Sequence, residues 1–230
     1  MLLRIINIIR LTLILISIPC FIVSTSSSLI INSPLLYSYG FDRYEIEDYT
    51  GIDRGELISA AKQIRNYFNN DEEWIVIEVI KQGEYIPNLF NAREIFHMKD
   101  VKNLIRGVYF VQYASVIIIG ICFILGFIGF TRNTMRTSLK RISYASLATL
   151  LMTLLIGVLS IVGFDRLFIY FHLISFNNDL WILDPRRDYL IAMFPQSFFL
   201  DATLLIGLGI LILSTILTVL PIFVIKKLNL

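Results

Sequence analysis

GVYFVQYASVIIIGICFILGFIGFT, residues 107–131, contains no Asp, Glu, Lys or Arg. A helix needs about 20 predominantly apolar residues to cross a bilayer, and this run is long enough. Three other charge-free runs flank it in the chain: Leu11–Phe41, whose apolar part ends near Val23, Ile142–Phe164 and Ala202–Ile225. With 56% hydrophobic residues, 17% charged residues and a mean hydropathy of +0.72, the 230-residue chain is too apolar for an ordinary soluble domain. In hydrocarbon the backbone must satisfy its own hydrogen bonds, so the four runs read as transmembrane helices.

Working outward, the charges sort the connecting segments. Arg4 and Arg10 precede the first span, Arg132, Arg136, Lys140 and Arg141 fill the link between the second and third, and Lys226 and Lys227 follow the fourth. Those segments hold no acidic residue; every Asp and Glu lies within 42–106 or 165–201. Short basic loops stay in the cytoplasm, which predicts both termini inside and the two acidic segments outside. The formal net charge of +2 hides this asymmetry and gives no support to a nucleic-acid partner. The start, MLLRIINIIRLTLILISIPCFIV followed by STSSS, has the make-up of a secretory signal. Arg10 and the long uncharged tail favour an uncleaved anchor. Cys20 and Cys122 both fall in predicted spans, where thiols serve as apolar filler. ILGFIGF, 124–130, reads as close helix packing.

The expected fold is therefore an all-α membrane bundle of four transmembrane helices with a small α+β extracytoplasmic domain between helices 1 and 2. Its segments are helix 1 (1–27), the outer domain with an interfacial helix (28–106), helix 2 (107–131), a cytoplasmic loop (132–141), helix 3 (142–165), an outer loop (166–201), helix 4 (202–225) and a cytoplasmic tail (226–230). Within the outer domain, Thr50 or Asp53 can cap a helix through DRGELISAAKQIRNYF, with Leu57, Ile58, Ala61, Ile64 and Phe68 on one face. DEEWIVIEVIKQGEYIPNLF suggests two strands turning at Gly83, and 28–45 a further strand. So short a domain has little core of its own.

Both histidines of the chain stand beside spans, on the side predicted to be outside. His97 lies in NAREIFHMKDVKNLIRG, before helix 2, and His172 in FIYFHLISFNNDLWILDP, after helix 3. Histidine is the side chain best suited to moving protons near neutral pH. From Asn91 the pattern turns helical, so Asp100 shares a helix face with His97 and can orient its ring. Arg93, Lys99, Lys102 and Arg106 on that helix are expected to reach lipid phosphates. The second loop mixes aromatic residues such as Trp181 with Asn177, Asn178 and Asp184, a composition able to line a pocket at headgroup level. There is no HExxH, no GxSxG and no phosphate-binding glycine loop, and the two histidines with Asp100 make a weak zinc set, so neither metal nor cofactor is expected.

FNAREIFHMKDVKNL and FHLISFNNDLWILDPRRDYLIAMFPQSFF resemble the two signature regions of a bacterial family of integral membrane proteins, the lipoprotein intramolecular transacylase (Lit) family. The resemblance implies four spans with both termini inside. It also implies transfer of the sn-2 acyl chain of a diacylglyceryl lipoprotein to the α-amino group of its amino-terminal cysteine, giving the lyso form. The partners implied are diacylated lipoproteins and membrane lipids, and His97 and His172 match the family's catalytic histidines. Donor and acceptor sit in one molecule, so no covalent intermediate is required. Tyr109, Asn177, Asn178 or the second histidine can serve the developing oxyanion. A different class of function, a non-enzymatic membrane protein whose outer domain binds an envelope component, predicts histidines on opposite sides. A transferase predicts that they meet, facing a cleft open to lipid.

Overall fold

The computed structural model describes residues 2–128 and 131–229. Helix α1 spans Leu2–Ile31, α2 Pro34–Arg43, α3 Ile46–Thr50 and α4 Arg54–Phe68; strands β1 (Val79–Lys81) and β2 (Glu84–Ile86) follow. Then come α5 (Ala92–Ile128), α6 (Arg132–Ser175), α7 (Tyr189–Met193) and α8 (Gln196–Lys227). Among the described residues, α1, α5, α6 and α8 are long and apolar enough to cross a membrane, matching the four expected spans.

Two of these helices far exceed a bilayer. At about 1.5 Å per residue, α6 with its 44 residues is roughly twice as long as the hydrocarbon core is thick. The charge-free portions, 107 onward in α5 and 142–164 in α6, are each long enough to cross by themselves, and His97 lies before one and His172 after the other. The expected interfacial helix is thus no separate element: it is the first part of α5, because nothing between Asn91 and Gly107 breaks the helical pattern. In α6 the backbone departs from helical geometry at Gly163 (φ −145°, ψ 40°) and then resumes, so the segment carrying His172 continues past a kink.

The chain divides into two compact units. One comprises residues up to 28, 108–159 and from 205 on. Its centre is the seam Leu11, Ile14, Ile18 and Ile22 of α1, at helical spacing, packed with Cys122, Ile142, Ala145 and Ile210. Cys122 is fully buried and both cysteines are free thiols, in line with packing roles. Outward-facing Ile117, Ile124, Leu155, Val219 and Phe223 stay exposed, the surface a lipid-bathed bundle requires. Arg10, expected to precede the first span, instead lies buried inside α1, donating to Asn7 Oδ1, Ser138 Oγ and the Cys122 carbonyl. A side chain at Gly126 would meet its guanidinium at 2.9 Å, so this glycine of the 124–130 run permits close packing; Gly129 and Phe130 lie outside the described residues.

The other unit joins residues 29–107 to 160–204. The second loop therefore completes the core that a 28–106 domain lacked. Phe176, Leu190, Met193, Phe194 and Phe198 are buried in this unit with Leu57, Ala61, Ile64, Ile75, Ile77 and Phe90. The strand expected in 28–45 is wrong: Pro34 at the first helical turn starts α2, whose Leu36, Tyr37, Gly40 and Phe41 form its buried face. Tyr37 and Phe41 pack on Phe194, which explains why a Tyr-rich stretch mimicked a strand.

The hairpin is real but small. Burial alternates along 74–80 as the pattern predicts, yet only Val79–Lys81 pairs with a strand. Side chains of α4 replace the missing neighbour: Gln63 both donates to the Glu78 carbonyl and accepts from its N–H, and Glu56 accepts from the Ile80 N–H. Gln82 (φ 53°) and Gly83 (φ 82°) make a two-residue turn with both φ values positive, the type whose twist matches paired strands. A Cβ at Gly83 meets nothing within 4 Å, so Gly83→Ala should cost only backbone strain, about 1–2 kcal/mol. Gly55, helical and equally unobstructed, supplies the control: Gly55→Ala should stabilise by about 0.4–1 kcal/mol. Thermal unfolding of the two variants, moving in opposite directions, checks both.

Candidate active site

The amino-terminal end of α5 is built by a reciprocal cap. Asn91 Oδ1 accepts from the backbone N–H groups of Arg93 and Glu94, while Glu94 Oε2 accepts from Asn91 N–H at 2.7 Å. Glu94 is completely buried, and its other oxygen accepts from the Leu190 N–H at 2.6 Å. Asn91 Nδ2 donates to Asp188 Oδ1, and Asp188 Oδ2 accepts from the Asp184 N–H. These bonds lock the start of the His97 helix to the loop that follows α6. An Asn followed three residues later by Glu is the signal such a cap leaves in a sequence, but nothing local marks Leu190 and Asp188 as partners.

One turn along α5, His97 meets His172. Their ring centroids are 6.2 Å apart with planes inclined by 31°, and both side chains are buried. The two rings are thus close neighbours within one compact unit. Phe176 packs edge-on against His97, and Phe168 and Phe171 pack against His172. Trp181 packs against His172, with centroids 4.8 Å apart and planes tilted by 30°. None of the three phenylalanines stood out in the sequence as a site residue, because aromatic side chains near an interface are commonplace.

The two imidazoles differ in their bonding. His172 Nδ1 lies 2.6 Å from the Phe168 carbonyl, which can only accept, so Nδ1 carries the proton and Nε2 is left as the acceptor. His97 Nδ1 is buried without a partner, as is the Trp181 indole N–H. Burial, aided by the neighbouring His172, pushes the pKa of His97 down to about 4, and the Asp100 charge only partly offsets it. Burial also lowers that of His172, against a smaller opposing effect of its bond to Phe168. Both rings are neutral at pH 7.

The remaining candidate residues sort clearly. Asp100 shares the His97 face but accepts from Asn178 Nδ2 at 2.8 Å, joining α5 to the loop. Asn178 also caps the Leu180 N–H, and Arg93 donates to the Asp179 carbonyl. Asn177 is exposed, Asp184 organises the 184–188 turn through the Arg186 N–H, and Tyr109 belongs to the other compact unit. The expected lipid-facing role of the basic residues needs correction. Lys99 pairs with Glu73, Arg106 with Asp71, and buried Lys102 donates to Asn70 Oδ1 and the Glu72 carbonyl while sitting over the Tyr67 ring. They dock the 69–74 loop onto α5, a pairing that sequence separation conceals. Among the described residues no group of three or more His, Cys, Asp or Glu side chains gathers as for a metal ion.

Comparison with known proteins adds to this geometry. The family model described as lipoprotein intramolecular transacylase Lit matches residues 12–199. A protein from Aquifex aeolicus (strain VF5), described only as uncharacterized, is 26% identical over 214 residues, 87% of this chain and 93% of its own length. The membrane integral lipoprotein intramolecular transacylase Lit from Bacillus cereus has the same fold: TM-score 0.78 at 23% identity, covering 97% of this chain and 98% of the other. A variant of that protein with a histidine changed to arginine gives a TM-score of 0.76 at 22% identity, covering 97% and 94%. With both histidine segments and most of the chain inside the matched range, this protein belongs to the lipoprotein intramolecular transacylase Lit family.

Proposed function

We propose that this protein moves the sn-2 acyl chain of a diacylglyceryl lipoprotein to the α-amino group of the same molecule's amino-terminal cysteine, yielding the lyso form. The observation that carries the reading is the buried, neutral imidazole pair, with His172 Nδ1 held by a carbonyl and Nε2 thereby assigned as acceptor. The neutral amine attacks the ester carbonyl carbon and the C–N bond forms. His172 Nε2 takes the ammonium proton as attack proceeds. The carbonyl re-forms, the ester C–O bond breaks, and the glyceryl oxygen leaves with the electron pair and receives that proton. His97 supports the leaving oxygen as a neutral hydrogen-bonding group. No cofactor enters. Holding amine and ester in one folded headgroup supplies effective concentrations that reach about 10⁵–10⁸ M in well-oriented systems.

The charge asymmetry supports a multi-pass orientation with both termini in the cytoplasm and the imidazole pair at the outer leaflet. Expressing the chain in a bacterium that makes diacylglyceryl lipoproteins but lacks this modification tests the activity. Mass spectrometry should find lyso-form lipoprotein, N-acylated and missing one O-acyl chain. An unchanged acyl pattern with the protein present in the membrane overturns the reading.

The pH profile follows from the same geometry. Both imidazole pKa values lie below the usual 6.5, so the proton-accepting form predominates above that value and is lost only as pH falls. A substrate α-amine titrates near about 7.7–8.0. The rate should therefore rise between about pH 6 and 8 with the amine of the substrate, and His97→Gln should leave that rise in place. A limb near pH 6.5 that disappears in the variant would show an imidazole titrating at its ordinary value.

A further inference from the structure

We propose that Trp181 is a catalytic residue whose indole N–H donates to the oxyanion that forms on the transferred acyl group, an inference that rests on the transfer reading above. Buried polar groups are almost always hydrogen-bonded, so a buried donor without a partner calls for one that arrives. The Trp181 N–H is such a donor, and its ring packs on the imidazole that receives the proton. Other polar groups of the same loop are committed or outside: Asn178 to Asp100 and Leu180, Asp184 to its turn, and Asn177 exposed.

The step balances. As the amine nitrogen bonds to the carbonyl carbon, the carbonyl π pair moves onto oxygen, and that oxygen accepts from Trp181 Nε1. The proton released by nitrogen goes to His172 Nε2. When the tetrahedral carbon collapses, the pair returns to re-form C=O, the Trp181 contact weakens, and the glyceryl oxygen takes the proton from His172. The indole face then has a second use. It lies 4.8 Å from an imidazole that is transiently cationic, and a cation over an aromatic face is stabilised.

The test replaces Trp181 by 3-benzothienylalanine, which keeps the bicyclic shape and puts sulfur where the N–H was, with Trp181→Phe as a genetically simpler partner. Lyso-form production and thermal unfolding are measured on the full chain in lipid. Loss of one oxyanion donor costs about 10²–10³-fold in turnover. The expected result is a fall of that size in the sulfur variant, an unchanged KM and an unfolding temperature at or above that of the parent, since no native partner is lost. Turnover within threefold of the parent, or a fall matched by a lowered unfolding temperature, overturns the proposal while parent activity and a dead His172→Gln leave the transfer reading intact. A parent chain that makes no lyso form removes both.

Discussion

Replacing His172 with glutamine lowers acyl-transfer turnover by about 10²–10⁴-fold, the range lost when a positioned general base is removed. His97→Gln lowers it by about tenfold, the scale of one neutral hydrogen bond. The inequality follows from how the rings are held. His172 has one nitrogen fixed by the Phe168 carbonyl, so its tautomer is set and its free nitrogen is the acceptor. His97 has no such anchor at Nδ1, and with a pKa near 4 it is a weak base that stays neutral at working pH. A weak base contributes little as proton acceptor but can still hold an oxygen. Glutamine keeps a donor and an acceptor at similar reach, which is why the His97 variant loses less. Because His97 acts on the oxygen that receives the proton from His172, its contribution depends on that transfer, and the double variant should be no slower than His172→Gln alone; residues that work as a unit are not additive. Mass spectrometry of lipoprotein acyl patterns gives the rates. Equal losses in the two single variants would make the pair a shared relay, and a larger loss at His97 would reverse the roles.

The sequence is legible where one physical signal dominates. Four charge-free runs announce four crossing helices, since a buried charge in hydrocarbon is costly enough to leave an empty record. The two histidines stand out for a similar reason: titratable imidazoles beside spans, with no others in the chain. Their meeting was expected from the resemblance of two segments and is realised in the geometry. Legibility fails where partners lie far apart in the chain. Tyr37 and Phe41 read as strand residues because alternation and aromatic content say nothing of Phe194, more than 150 positions away, whose ring they cover as a helix face. Lys102 reads as a lipid-seeking cation because its true acceptors, Asn70 Oδ1 and the Glu72 carbonyl, belong to a loop with no pattern of its own. The composition of the second loop suggests a pocket wall; it is also core, since a domain of 28–106 alone could not bury its apolar faces.

The residue that ties these levels together is Glu94, and its removal should be among the most destabilising polar changes in this unit. Glu94→Ala leaves the Leu190 N–H buried without an acceptor and breaks the bond from the more exposed Asn91 N–H, which water can replace. The buried loss costs about 1–3 kcal/mol and the solvated one about 0.5–1.5, so about 2–4 kcal/mol is expected, a large part of the 5–15 kcal/mol of a typical domain. An opposing effect exists. Burial raises the pKa of Glu94 and the nearby Asp188 charge raises it further, while its two backbone bonds pull the other way. The folded state therefore binds this proton more tightly than the unfolded chain, and the group's contribution is greatest at low pH and declines as pH rises through its folded pKa. The bonds decide the outcome: at 2.6 and 2.7 Å both are short, as bonds to a charged acceptor are. Glu94→Gln separates charge from bonding. Its amide oxygen serves one N–H but its NH₂ opposes the other, so it should lose about half as much as alanine. Should glutamine match the parent in thermal unfolding, the carboxyl group is already protonated and one of the two bonds is dispensable. Activity should fall with stability in both variants, because the same two bonds set the start of α5 one turn before His97 and hold it to the loop that begins just beyond His172.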